Sequence, residues 1–409
     1  MFLTISSGIA QGFLLLISPI ITRLYGPEEF GAFAVVLGLG ALIGSVGTGR
    51  LEHAIPIARG PVDAVRIAFL GGMLVTVSSI IVLAFLKVLP SWMLPSGVAW
   101  NEFPLVAIPA IAMSLAFSQL INALLLRQRA IRSVGKNKML QGGTAGTMQL
   151  VFGWAQFSSA GMIWAQVLGY LVGGISGMRR LSARGWMILW KRGANLKETF
   201  RTYRRFPAWL APAALFNLAA QQVPVLALGY IYGLYEAGLY ALVMRACGAP
   251  LGMLGQAVAQ VYASEFRSYL KKPAGELARE YLLMLLKLFV VGIMVVGFLV
   301  TVMHLGGTLI FGERWANIGT VTSLLALMLL TDFVTTPVSM TLSYLGRAGL
   351  QLVWDAARLC AVVFVAGTTY YLSLRFGQFL VLLACVWSLS LFVHAFLTWR
   401  ACKIEVIRQ

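Results

Sequence analysis

Apolar residues in this chain gather in runs of membrane-crossing length, and the runs are divided by short stretches in which Arg, Lys, Gly and Pro collect. An α-helix of about 20 apolar residues crosses about 30 Å of hydrocarbon. On that ruler the pattern predicts twelve spans, at 2–22, 31–57, 65–87, 103–125, 139–157, 160–178, 206–230, 238–262, 282–304, 316–342, 352–372 and 379–398. Six fall in each half, giving a lobe over 1–178, a basic linker over 179–205 and a second lobe with a short tail over 206–409. The N-terminal stretch runs apolar from Met1 without a basic leader or a cleavage signal, so 2–22 reads as a retained span.

Composition excludes a soluble globule. The chain is 59% hydrophobic and 11% charged, with a mean hydropathy of +0.83, whereas soluble domains run near 45–50% apolar and about 25% charged. The net charge of +18 lies in the loops between spans, without aromatic interleaving, which argues against a nucleic-acid partner. If the N-terminus is inside, the inner loops and tail carry twenty-five Lys and Arg, and the outer side only Arg23, Lys87, Arg314 and Arg375. The positive-inside rule therefore predicts both termini in the cytoplasm. Four cysteines without a CxxC pair and three scattered histidines give no disulfide framework and no metal-site spacing. In the linker, Trp186-Met187-Ile188-Leu189-Trp190 among nine basic residues reads as an interfacial segment on anionic lipid, or as a plain topology-setting loop.

A repeat organises the halves. Leu24 to Val36 (LYGPEEFGAFAVV) returns 207 positions later as Ile231 to Val243 (IYGLYEAGLYALV), with Tyr25, Gly26, Glu29, Gly31, Ala34 and Val36 falling on Tyr232, Gly233, Glu236, Gly238, Ala241 and Val243. Each copy sits between the first and second span of its half. With six spans per half the two halves enter the membrane in the same sense, so they are expected to relate by an axis along the membrane normal. Small residues at four-residue spacing, Gly40 and Gly44 on span 2 and Gly169, Gly173 and Gly177 on span 6, predict close helix packing.

A charge at the centre of a span costs about 2.5–3.5 kcal/mol on insertion scales, so each one there calls for a reason. Arg245 in span 8 is the leading functional candidate, the alternative being a partner for a carbonyl or for Glu236. Arg50, near the inner end of span 2 beside Glu52 and His53, either serves a site or snorkels; Arg23, at the end of span 1, either serves a site or anchors at the interface. Asp332 in span 10 is placed to bind a coupling cation or proton, or to bond a helix backbone. Amides such as Asn217, Gln221 and Gln256 suit a hydroxyl-rich cargo or interhelical contacts. Asp355 and Arg358, three apart, are expected to pair near the inner surface. Pro19 in span 1 and Pro207, Pro212 and Pro224 in span 7 mark corresponding spans as bending elements.

The stretch from Ile21 to Ala58, with its TRxxGPxxFG loop and an R-x-E-x-A-I ending, resembles the opening of bacterial oligosaccharide flippases of the Wzx or polysaccharide-transporter type. Phe311-Gly312-Glu313-Arg314-Trp315 is similar to that family's outer FGxxW loop, and Leu345-Gly346-Arg347 with Gln351, Asp355 and Arg358 to its inner loop before span 11. The resemblance implies an all-α polytopic membrane protein of the multidrug/oligosaccharidyl-lipid/polysaccharide exporter superfamily, MATE-like, with about twelve transmembrane helices in two parallel-repeat six-helix lobes around a central cavity. It implies a flippase in the bacterial inner membrane carrying polyprenyl-diphosphate-linked glycans outward for O-antigen, capsule or exopolysaccharide synthesis, with Arg23, Arg50 and Arg245 holding the anionic headgroup. Membrane lipids, and the polymerase and chain-length proteins of the same pathway, are the expected partners. No cofactor is expected, beyond coupling to H+ or Na+.

The chemistry agrees. A diphosphate suits guanidinium forks that stay protonated, and outward movement of an anion gains about 2.3 kcal/mol per charge per 100 mV of inside-negative potential. A drug-cation antiporter of the same superfamily would want acidic cavity residues, and the chain has 14 Asp and Glu in all. A membrane polysaccharide polymerase would need a catalytic loop; the outer loops are short and concentrate no carboxylates or histidines, so no enzyme is expected.

Overall fold

The computed structural model describes residues 2–88, 102–181, 196–269 and 274–405, and no strand occurs among them. The linker segment Trp186 to Trp190 lies outside the described residues. Six helices come first: α1 (Phe2–Leu24), α2 (Pro27–Val46), α3 (Pro61–Val88), α4 (Glu102–Arg127), α5 (Ile131–Trp154) and α6 (Ser158–Met178). A short amphipathic α7 (Leu196–Tyr203) precedes α8 (Ala211–Ile231), α9 (Leu234–Val243) and α10 (Ala249–Tyr269). Then come α11 (Ala274–Phe311), α12 (Ile318–Thr335), the single turn α13 (Thr341–Tyr344), α14 (Ala348–Leu372) and α15 (Phe376–Glu405). Among the described residues eleven helical stretches are long and apolar enough to cross a membrane. The remaining expected span is α5, of matching length but more polar: Arg132, Lys136 and Lys138 occupy its first two turns, and Asn137, Gln141 and Gln149 its body. The protein is thus an all-helical, multi-pass membrane protein.

The chain divides into two compact units, Met1–Gly238 and Leu239–Gln409. In the first, α5 is held between α1 and α6, and α4 packs on α2, α3 and α6. The glycine rows do the expected work. A Cβ on Gly169 or Gly173 would meet the Gln141 or Asn137 carbonyl of α5, and one on Gly40 or Gly44 would meet Ile111 or Ala112 of α4. At one end of the unit Leu51, Ile55, Ile67, Leu120, Leu124 and Tyr203 build a local core. Arg127 closes it by donating from Nη1 to the carbonyls of Ile55, Pro56 and Ala58, at 3.2, 3.3 and 2.7 Å.

The repeated motif is where the first unit packs most tightly. A Cβ on Gly31 would fall on the Leu234 carbonyl oxygen, and one on Gly238 would fall on the Pro27 carbonyl oxygen. Positions 27 and 234, like 31 and 238, are related by the 207-residue repeat, so the contact is reciprocal: each copy presents its glycine to the carbonyl that the other copy presents in return. Only a residue without a side chain permits this approach.

In the second unit α12 lies against α11 and α15, and α14 against α15. Tyr262, Leu277, Tyr281, Val338, Leu342 and Cys402 form its local core. That core explains why α11 runs for 38 residues, about 57 Å at 1.5 Å per residue, well past the predicted 282–304. Its first turns are kept helical by burying Leu277, Ala278 and Tyr281.

Span 2 ends earlier than predicted. Instead of running to 57, α2 stops at Val46 and the chain continues through two 3-10 turns, Leu51–His53 and Ile55–Ile57. The cause is local: Gly49 and Arg50 both take positive φ, +62° and +56°, which no α-helix accommodates. By contrast α1 and α8 remain continuous across Pro19 and Pro224.

Candidate functional site

The break after α2 fixes how Arg50 is presented. Its left-handed backbone turns the guanidinium back over Glu52, with Nη1 3.4 Å from Oε1. Glu52 is buried and also accepts from Thr48 Oγ1 at 2.7 Å, while His53 Nε2 lies 3.8 Å from the same carboxylate. Thr48 in turn accepts from the Arg50 amide at 3.2 Å. Arg50 is half-buried and paired with one carboxylate.

Arg23 is exposed on the last turn of α1, two residues before Tyr25. The Tyr25 hydroxyl donates to the Gln149 carbonyl of α5 at 3.0 Å. Burial, helped by the nearby Glu29 carboxylate, pushes the Tyr25 phenol up to about 12; burial also pushes up the phenol of its repeat partner Tyr232. Glu29 caps α2 by accepting from the Gly26 amide at 2.9 Å, so the N-terminal end of the first copy of the motif is held twice.

Arg245 sits in a π turn, Met244–Gly248, between α9 and α10, eleven residues past the first residue of α9 and so about 16 Å along the rod. The widening has a sequence cause. Pro250 has no amide to give the carbonyl four residues back, and its ring pushes that carbonyl away. The π turn Phe206–Leu210 stands in the same relation to Pro212. Neither turn is visible in the hydropathy pattern, although the prolines that force them are. Arg245 is half-buried and lies where the backbone ladder is widened.

Of the amides, Gln221 donates to Asn217 Oδ1 at 2.8 Å across one turn of α8, and Gln256 is exposed on α10. Gln222 turns toward α2, its Oε1 lying 2.7 Å from where a Cβ on Gly38 would sit. Asn137 bonds Asn122 at 3.1 Å, joining α5 to α4.

Asp332 belongs to a larger cluster. Trp387 of α15 donates from Nε1 to Asp332 Oδ1 at 2.9 Å. The Trp387 ring also faces the Arg358 guanidinium, 5.0 Å from its centroid, with Trp354 on another side at 4.6 Å. Arg358 Nη2 lies 3.8 Å from Asp355 Oδ1, so the expected i, i+3 pair is present. Arg358 is ten residues into α14, about 15 Å from its start, and its side chain is buried within the protein. Gln351 donates to Asp355 Oδ2 at 3.4 Å and meets His394 Nε2 at 2.9 Å through Oε1. Trp354, Trp387 and His394 have no role in the sequence reading. Their signal is the i, i+3, i+4, i+7 run of 351, 354, 355 and 358 on α14, facing 387 and 394 on α15.

The helix order and packing define a class by fold: multi-pass helical membrane proteins with the architecture seen in MATE transporters. The chain is similar along 99% of its length to the inward-facing structure of a multidrug resistance MATE family transporter of the MOP superfamily, covering 95% of that chain at 16% identity and a TM-score of 0.69. It is similar to the eukaryotic MATE transporter AtDTX14 at 15% identity, covering 99% of this chain and 96% of that one, TM-score 0.53. It also matches a MOP superfamily transporter from Pyrococcus furiosus, described as having a reverse polarity of its binding pocket that suggests a different function, at 14% identity, 99% and 95% coverage and TM-score 0.50. No curated protein matches it in sequence. The chain belongs to the polysaccharide biosynthesis protein family, whose profile matches residues 14–320.

Proposed function

We propose that the protein is a flippase that moves polyprenyl-diphosphate-linked oligosaccharide from the cytoplasmic to the outer leaflet of a bacterial inner membrane, with both termini cytoplasmic. The observation that carries this reading is Arg245: a fixed cation at membrane depth, in a π turn of a MATE-fold chain that belongs to a polysaccharide biosynthesis family. A diphosphate is the anion that such a pathway presents to the membrane, and a guanidinium forks onto its oxygens without losing its charge. Arg23 and Arg50 complete the headgroup site. Asn217, Gln221 and Gln256 supply amide donors for sugar hydroxyls, and Asp332 is the coupling site. A change of pocket polarity within this fold has a parallel in the Pyrococcus protein.

The test is genetic and chemical. In a strain lacking the gene, lipid-diphosphate-linked repeat units are expected to accumulate on the cytoplasmic leaflet, and wild type but not Arg245→Ala relieves the accumulation. Absence of accumulation overturns the reading, and a flux of organic cations in its place would move the protein to drug antiport.

A further inference from the structure

The turn that carries Arg50 is framed on both sides. Before it, Gly49 takes positive φ, and a Cβ there would lie 3.1 Å from the Pro207 side chain. After it, Leu51, Ala54 and Ile55 are fully buried, and Arg127 holds the carbonyls of Ile55, Pro56 and Ala58. Glu52 is fixed within this frame. It is buried, its Oε2 accepts from Thr48 Oγ1 at 2.7 Å, and Thr48 itself accepts from the Arg50 amide. The short, anchored carboxylate stays where the turn puts it, so the side chain with freedom to move is that of Arg50.

The contact between the two is the weakest in the cluster. A guanidinium N–H ordinarily lies about 2.7–2.9 Å from a carboxylate oxygen, often with two prongs engaged at once. Here the single nitrogen Nη1 reaches the single oxygen Oε1 at 3.4 Å, and Nε and Nη2 make no hydrogen bond among the described residues. Most of the donor fork is thus unused, on a side chain that remains 24% exposed. Departure of Arg50 would not strand Glu52. The Thr48 hydroxyl would still hold Oε2, and His53 Nε2 already lies 3.8 Å from Oε1.

We infer that Glu52 is the resident anion of the Arg50 site: it keeps the guanidinium by one prong until a diphosphate takes the others, and so sets which anions the site accepts. Any incoming anion approaches a buried carboxylate, and like charges brought together cost several kcal/mol. A singly charged ligand would exchange one carboxylate for another and leave Glu52 without its cation. A diphosphate brings paired oxygens for the unused prongs and more than one charge, which draws the guanidinium off a long single contact. Selectivity then comes from a repelling group as well as an attracting one. Glu52 is a positioning residue, acting on the ligand through Arg50.

The use of this site in transport rests on the flippase reading, but its anion preference can be measured without glycan. Purified protein in nanodiscs of zwitterionic lipid is titrated calorimetrically with inorganic pyrophosphate and, separately, with acetate. Wild type is expected to bind pyrophosphate and ignore acetate. Glu52→Gln, whose amide oxygen still accepts from Thr48, should bind pyrophosphate about tenfold tighter, a change of about 1.4 kcal/mol, and should begin to bind acetate. Glu52→Asp keeps the charge but draws it back from Nη1, and should move the affinity the same way by less; it carries the test if Glu52→Gln fails to fold. The gain should vanish in the double variant Arg50→Ala/Glu52→Gln. A folded Glu52→Gln protein that binds pyrophosphate no tighter than wild type, a gain that survives loss of Arg50, or no binding to any variant overturns the inference. If the affinities change as expected while wild type fails to relieve glycolipid accumulation, the anion site stands and the flippase reading falls; relief by wild type with unchanged affinity in Glu52→Gln gives the reverse.

Discussion

Substituting Gly31 by alanine tests the reciprocal contact directly. The new methyl group would land on the Leu234 carbonyl oxygen, with the carbonyl carbon at 2.8 Å and the Gly238 nitrogen at 3.0 Å. Ordinary carbon–carbon separation is about 3.5–4.0 Å, so α2 and the start of α9 must part along backbone, which cannot rotate away as a side chain would. Overpacking of this kind costs about 1–3 kcal/mol, and the backbone obstruction puts Gly31→Ala at the upper end, about 2–3 kcal/mol. At about 2–4 °C per kcal/mol for a unit of this size, the melting temperature in detergent should fall by roughly 4–12 °C. Gly238→Ala should do the same through Pro27. The double variant should lose less than the sum, because helices already parted for one methyl group make room for the second. Gly72, which has nothing within 4 Å of a built Cβ, is the control: alanine there should be neutral or gain about 0.5–1 kcal/mol. Tryptophan-detected melting of the four variants decides it. A Gly31→Ala protein that melts within 1 °C of wild type, or strict additivity in the double variant, would refute the close approach on which the argument rests.

Arg50→Gly separates backbone strain from side-chain function: the left-handed residue costs about 1 kcal/mol, so melting should hold or rise while relief of glycolipid accumulation is lost, and loss of both together would make Arg50 structural. Arg245→Lys keeps a charge but loses the fork, and should relieve accumulation more weakly than wild type and better than Arg245→Ala in a lipid-extract assay; equal relief by all three would remove Arg245 from the headgroup site. Tyr25→Phe strips a buried hydrogen bond from the α1–α5 seam and should cost about 1–2 kcal/mol. Because the folded phenol is held at about 12, above an unfolded value near 10, its contribution is complete below pH 10 and lost as pH rises toward 12. Alkaline melting of wild type should therefore steepen above pH 10 more than that of Tyr25→Phe, and parallel curves would contradict the assignment.

Much of the architecture could be read from the apolar runs, because hydrocarbon thickness imposes a length that any span must meet. What escaped was what the backbone does inside a run. Leu51, Ala54, Ile55 and Ile57 carry the apolar run of span 2 onward in the sequence, yet the chain turns at Gly47 to Arg50 because φ at two adjacent residues is positive. Arg245 was visible as a deep charge, but its π turn depends on Pro250, five residues on. Asp332 could be picked out by its cost in the membrane. Trp387 and His394 could not, since each passes as ordinary packing until three helices bring them together. Residues 274–281 look too polar for a span and are helical all the same, through a tertiary core that local composition does not encode.

The contact of Gly31 with Leu234 and Gly238 with Pro27 also bears on how the two halves of the gene could have aged. Most positions of a duplicated unit are free to diverge, each copy answering only to its own surroundings. Here each glycine must stay bare because of the other copy's main chain, so a drift in either is penalised in both. The short motif that carries the 207-residue repeat, six identities in thirteen residues, sits at the spot where neither copy could change alone.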